Sequence, residues 1–232
     1  MGQLRQSLQI IRSTLYGILR RIMTTTEIET ALDRFISSTR DLFARETDEE
    51  TRWLKLTPIL NAFLSDPTVI EASANWPANQ FTDRAENLLF YEDPDYGFVV
   101  NGLKREVKSK PAVTPAHPTW SGIHDHAHIY TLYGVLAGHE MIERYRPIED
   151  SEKSETYVKI EQIGNFEVAP GTVDLVRPFE IHAERSLGEQ TVAIIIRSEK
   201  SGGFLQGRYE AETGEYWQGY GPRQREVQMF DK

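Results

Sequence analysis

The sequence predicts a mainly β protein, an antiparallel barrel or jelly roll, with an α-helical segment ahead of it. Three observations carry that reading. Residues 24 to 72 place their apolar side chains at helical intervals. From residue 87 onward, short β-branched and aromatic runs follow one another with turn signals between them. The length of 232 residues suits one domain with an added segment and is enough to bury a substantial core.

The chain opens on "MGQLRQSLQIIRSTLYGILRRIM", which carries Arg5, Arg12, Arg20 and Arg21 and no acid. Leu4, Leu8, Ile11, Leu15, Ile18 and Ile22 recur at helical spacing. Such a helix can pack on a neighbour, lie on a membrane surface, or serve as a leader upstream of a start at Met23. Thr24 and Glu27 are spaced as a capping box. We therefore assign 1–23 to a basic amphipathic leader or helix, 24–84 to a helical segment packed on the barrel, and 85–232 to the barrel itself with a C-terminal hairpin extension.

Within the helical segment, Ile28, Leu32, Phe35, Ile36, Leu42 and Phe43 form one stripe. After the acidic "ETDEET", Trp53, Leu56, Leu60, Phe63 and Leu64 form a second. Pro58 is expected to mark a first turn or a kink. "NLLFY", "FVVNGLK", "IYTLYGVLAG", "EMIERY", "TYVKIEQI", "GTVDLV" and "TVAIIIRS" then read as strands. "RYEAETGEYW" reads as a late hairpin turning near Thr213 and Gly214.

Composition narrows the function. A net charge of −9 argues against general nucleic-acid binding, which requires clustered basic charge. With no cysteine there is no disulfide, thiolate metal site or thiol nucleophile, and a cytoplasmic location is the expectation. No run reaches the length of apolar residues that a transmembrane helix needs.

The chemistry concentrates in "SGIHDHAHIYTLYGVLAGHE", residues 121 to 140. On a strand, residues i, i+2 and i+4 share a face, so an extended chain would turn His124, His126 and His128 the same way. Two neighbouring same-face imidazoles can hold one ion. A third in the row has moved roughly 6–7 Å further along the strand, so the third ligand is expected from another strand. His182, in "RPFEIHAERS", is the natural candidate. His117 and His139 read as surface or loop residues.

These motifs resemble those of the cupin superfamily. In "GIHDHAHIYTLYGVLAG", counting from His126 puts Thr131 where most cupins carry a metal-binding Glu and Gly138 at the closing glycine. "GTVDLVRPFEIHAE" resembles the second motif and carries His182. A cupin with H-D-H and no Glu is similar to the cysteine dioxygenase family, which includes the 3-mercaptopropionate dioxygenases. "NLLFYEDPDYGFVV", "GVLAGHEMIERY" and "YEAETGE...GYGP" share that likeness, which spans roughly residues 85 to 222.

The resemblance implies a cupin, double-stranded β-helix fold and a mononuclear non-haem Fe(II) centre held by His124, His126 and His182. An imidazole site of this kind also accepts Mn, Co, Ni or Zn. It implies an oxidoreductase, a dioxygenase that joins O₂ to a small anionic chelating substrate, by default a thiol carboxylate oxidised to a sulfinate. The family's Ser-His-Tyr set is absent: Ile195 and Arg197 stand where its His and Tyr should be. Arg197 is therefore read as the grip on a substrate carboxylate, with Tyr130 and His128 as further residues that reach the reacting groups; Asn87 or Arg84 can stand in for the family's carboxylate-binding residue. Two other readings remain open. One is a three-His cupin with C–C-cleaving, lyase or isomerase chemistry; the other is a cupin that binds a small ligand without turnover. A small-molecule substrate and O₂ are the expected partners, with no nucleic acid and no transmembrane segment, in a monomer or homodimer.

Overall fold

Each helix begins where the sequence offers a side-chain cap. Helix α1 (Ala31–Arg45) starts at Thr30, whose side chain accepts from the Asp33 amide while the Asp33 carboxylate accepts from the Thr30 amide. Helices α2 (Glu49–Leu64) and α3 (Pro67–Asn75) start at Asp48 and Asp66, whose carboxylates accept from the amides of Thr51 and Thr68. Pro67 occupies the first turn of α3, where an amide hydrogen has no helical partner. Pro58 behaves differently from a helix start: α2 runs through it. The computed structural model describes residues 29–80, 84–106, 122–149 and 151–230. The basic stretch 1–23, the capping box at Thr24 and Glu27, and His117 lie outside the described residues.

Among the described residues, the strands form two six-stranded sheets and one two-stranded ribbon. The first has the order β14-β1-β2-β11-β4-β9 and the second β13-β12-β3-β10-β5-β8. In chain order they are β1 (Glu86–Glu92), β2 (Val99–Glu106), β3 (Ile123–His124), β4 (Thr131–Ala137), β5 (Glu140–Pro147) and β8 (Ile160–Val168). Then come β9 (Val173–Val176), β10 (Ile181–Ser186), β11 (Gln190–Arg197), β12 (Leu205–Tyr209), β13 (Tyr216–Tyr220) and β14 (Arg223–Glu226). A small ribbon of β6 (Lys153–Ser154) and β7 (Tyr157–Val158) is tied to the segment entering β13 by a Tyr157–Glu215 bridge. Pairing within the two large sheets is antiparallel except between β1 and β14. The chain keeps switching sheets, so the two wind together as a double-stranded jelly roll.

Strand alternation explains what each face buries. Leu132 and Leu136 on β4, with Val192, Ile194 and Ile196 on β11, face the helices and pack with Phe35, Trp53, Leu56, Leu60 and Leu64. Leu56 and Leu60 are fully buried, and each such side chain stabilises the fold by about 1.5–3 kcal/mol relative to exposure. Gly134 sits under Leu64, and a Cβ there would collide with the leucine side chain. Gly138 closes the β4–β5 turn at φ 89, with no room for a Cβ against the Gln190 carbonyl.

The opposite residues of the same strands point into the barrel. Leu103, Tyr133, Val135, Ala193 and Ile195 from the first sheet meet Ile142 and Val168 from the second and fill one end. Moving along β4 from Val135 through Tyr133 to Thr131, and along β11 from Ala193 through Ile195 to Arg197, the lining changes from apolar to polar. The other end of the barrel is thus left for chemistry.

Candidate metal centre

Backbone pairing brings two of the predicted ligands together. His124 is the last residue of the short strand β3, which lies between β10 and β12. Its cross-strand partner on β10 is His182, and on β12 it is Arg208. Side chains directly opposite on one face stand within about 5.5 Å at Cβ, so the pairing alone presses these two imidazoles against each other. Their ring centroids are 4.5 Å apart, and His126 lies 5.1 Å from His124 and 4.7 Å from His182.

The chain then turns sharply. Asp125 is buried between the two histidines of H-D-H, and its Oδ1 accepts from the amides of Ala127 at 2.8 Å and Gly207 at 3.0 Å. Oδ2 accepts from the Tyr209 hydroxyl at 2.7 Å. Ala127 takes φ 54, a left-handed conformation that the Asp125 carboxylate supports by bonding its amide. His126 stays inside, only 5% exposed, while the reversal throws His128 out. The His128 side chain is 55% exposed, paired with Glu199 at 3.1 Å and set against Phe204. The extended reading of residues 124–128 therefore fails after His126, and His128 does not reach the site.

Tyr130 is likewise displaced. It faces the helices, stacks on Trp53 with ring planes 2° apart, and donates its hydroxyl to Glu50 at 3.0 Å. Its neighbour Tyr133 points inward instead and donates to Glu140 at 2.6 Å. Arg197 does face the interior. It is buried, its Nη1 donates to Asn101 at 2.7 Å, and its Nε has no partner. Thr131 is its cross-strand neighbour on β4, buried with an unpartnered hydroxyl. Asn87 is buried as well, with an unpartnered Oδ1, while Arg84 lies over the Tyr220 ring.

The histidine nitrogens are arranged for a cation. His124 Nδ1 faces the Gly122 carbonyl at 2.9 Å and His182 Nδ1 faces the Glu180 carbonyl at 3.1 Å. A carbonyl there fixes the hydrogen on Nδ1 and makes Nε2 the lone-pair nitrogen, the arrangement that metal-binding imidazoles use. His124 Nε2 and His126 Nε2 face each other at 3.2 Å, and His182 Nε2 is buried without a hydrogen bond. The three can each offer one ligand atom, all within 4.8 Å of one another. Neutral imidazoles with converging Nε2 atoms fit a divalent first-row ion.

Electrostatics divide the three histidines. Burial, reinforced by the charge of His182, pulls His124 down to about 3. Burial followed by the charges of His182 and His124 holds His126 well below the ordinary histidine value. His182 is raised: burial opposes its charge, but the Glu184 carboxylate outweighs it. Burial alone would raise Glu184, yet His124 and His182 hold it well below the usual carboxylate range. Arg197, desolvated, falls to about 10.

Sequence reasoning missed Asp125 and Glu184. Both were signalled: Asp125 is the middle letter of H-D-H, and Glu184 follows His182 at the two-residue spacing that puts strand side chains on one face. His139 is exposed and paired with Glu167, as a surface residue. No described helix is long and apolar enough to cross a membrane.

No protein-family model matches the chain, and no curated protein matches it. Among solved structures it is similar to the cupin domain of a Schizosaccharomyces pombe protein, at 7% identity over 55% of this chain and 72% of that one, with a TM-score of 0.35. It is similar to a cupin-2 domain protein of Shewanella frigidimarina, at 15% identity over 50% and 82% of the two chains, with a TM-score of 0.30. A Bacillus halodurans protein gives 12% identity, 57% and 81% coverage and a TM-score of 0.37. The described strands themselves form a barrel of two six-stranded sheets. In this barrel the group that could hold a metal ion lies on β3, the turn after it, and β10.

Proposed function

We propose that this cupin is a mononuclear non-haem Fe(II) dioxygenase acting on a small anionic substrate that chelates the metal. The observation that carries the reading is the meeting of three imidazoles, each able to offer one nitrogen within 4.8 Å of the others, in a barrel that also buries the incompletely partnered Arg197. His124, His126 and His182 would hold the ion. Fe(II), when bound, would supply the redox chemistry. Arg197 would grip a substrate carboxylate through its guanidinium, as a charged donor in a desolvated setting does. The Thr131 hydroxyl lies across from it and can orient a polar substrate atom. Enclosure by the barrel excludes bulk water and holds the reactants close.

The default reaction takes a thiol carboxylate and O₂ to a sulfinate. Both oxygen atoms join sulfur, which gives up four electrons to O₂, and the thiol proton is released. One observation favours a second reading. Ile195, at the position of the family's imidazole, belongs to the apolar cluster that fills the barrel, so no acid or base stands there. This suits a three-His cupin that cleaves C–C bonds, or a metal-dependent lyase or isomerase.

Metal analysis of the purified protein, with an oxygen-electrode screen over 3-mercaptopropionate, cysteine, mercaptosuccinate and β-diketones, tests the proposal. About one divalent ion per chain and O₂ uptake with an anionic thiol are expected. Turnover that persists without oxygen would replace the dioxygenase by the lyase. Full metal retention in both His126→Ala and His182→Ala would remove the metal centre itself.

A further inference from the structure

His182 has a cross-strand partner on each side of β10. One is His124 and the other is Arg144 on β5, whose side chain leaves the sheet on the same face. Arg144 Nη2 donates to both carboxylate oxygens of Asp174, at 2.6 and 2.7 Å, and so ties β5 of the second sheet to β9 of the first. These two side chains are only 11% and 7% exposed, so little water competes for the bonds. Arg144 Nε lies 2.7 Å from Glu180 Oε1. Apolar residues could join the two sheets as well as a buried ion pair does. They could not also hold Glu180.

Glu180 is the link to the histidines. Its Oε2 accepts from the Arg177 amide at 3.0 Å, and its backbone carbonyl faces His182 Nδ1 at 3.1 Å. The same turn carries Phe179 at φ 60, with its amide donating to the Ala127 carbonyl at 2.6 Å, one residue after His126. A left-handed phenylalanine is costly, and its exposed side chain gains little from packing. The surrounding bonds therefore impose the shape of this turn.

We infer that Arg144 is a positioning residue for the metal centre, acting through Glu180 to fix the turn that orients His182 and braces the turn after His126. The inference rests on the three-histidine metal site proposed above. The fixed carbonyl keeps the His182 hydrogen on Nδ1 and leaves Nε2 for an ion. One arginine thus serves both imidazole-bearing turns from a strand that carries no ligand.

The test uses full-length protein freed of metal and titrated with Co(II), whose visible absorption reports its ligand set. The double variant Arg144→Gln with Asp174→Asn removes both charges and so strands no buried carboxylate. It should bind Co(II) at least about tenfold more weakly than wild type, with shifted absorption bands. Glu180→Ala keeps the Arg144–Asp174 pair and should give the same loss; it decides alone if the double variant does not fold. All three changes together should cost no more than the larger of the two losses, because both act along one path. Wild-type affinity and bands in either folded variant, or losses that multiply when combined, would overturn the inference. His126→Ala serves as the control arm. If it binds Co(II) like wild type, the three-histidine site itself has failed. If it loses Co(II) while Glu180→Ala keeps the wild-type spectrum, only the positioning role has failed.

Discussion

The Tyr209 hydroxyl donates to the carboxylate that sits between His124 and His126 in sequence, reaching Asp125 Oδ2 at 2.7 Å from strand β12. The other oxygen of that carboxylate fixes the left-handed Ala127 and the Gly207 amide. Asp125 thus sets the angle between His124 and His126 without facing the ion. Tyr209→Phe should cost about 1–3 kcal/mol, because it leaves a buried carboxylate oxygen unpartnered. Thermal or urea unfolding reads this directly. Asp125→Ala should, in addition, weaken Zn(II) or Co(II) binding by about 10–100-fold through misplaced imidazoles. Equal affinity in Asp125→Ala and wild type would contradict the positioning role.

Two histidines of one short stretch should behave oppositely. His126 is buried in the cluster, and His128 is exposed beside Glu199. His126→Ala should abolish stoichiometric metal. His128→Ala should keep it, with stability within about 0.5 kcal/mol of wild type, as for an exposed substitution. Metal content per chain after gel filtration separates the two.

Arg197→Gln should leave the metal content unchanged and raise KM for an anionic substrate by about 10–100-fold, the worth of a hydrogen bond to a charged group. Tyr130→Phe should leave KM alone, since its hydroxyl is engaged by Glu50 on the helix side. Steady-state kinetics on both variants, with the substrate that the oxygen screen identifies, makes the comparison. Similar KM shifts in the two would count against the inward arginine as the anion grip.

Acid should destabilise the metal-free protein. His124 titrates near 6.5 when unfolded and about 3 when folded, so between these values the unfolded chain binds the extra proton. Stability must then fall as pH drops from 6.5 toward 3. His126 adds the same sign, and Glu184 adds it below 4.5, where its unfolded carboxylate begins to protonate. His182 works the other way: its raised value contributes stability that is complete below 6.5 and lost as pH rises through its folded value. The expected result is a Tm that declines from pH 6.5 to 4 and a shallower decline in a His124→Asn, His126→Asn double variant. A Tm flat over that range would refute the burial of neutral imidazoles.

Sequence patterns gave the barrel, its helical flank and the three converging histidines, because periodicity and strand-borne H-x-H report directly on faces. They misplaced His128 and Tyr130 for one reason. Alternation holds only while the chain is extended, and the left-handed Ala127 resets it, so Tyr133 enters the barrel where Tyr130 was expected. Nothing in single-residue propensity announces that Ala127 will turn; the Asp125 carboxylate and the Phe179 amide, which donates to the Ala127 carbonyl at 2.6 Å, impose it from elsewhere in the fold. Glu184 was visible at the two-residue spacing from His182 on β10.

The pairing of β3 with β10 has a consequence for how the protein meets its ion. Ladder pairing holds His124 opposite His182, so backbone register sets the separation of these two imidazoles. This differs from small domains that fold only around their ion. If the proposed site takes an ion, imidazole sites rank the divalent ions on offer by the metals' own affinities. Protein made in different media should carry different ions in the same finished barrel, so occupancy records the history of supply.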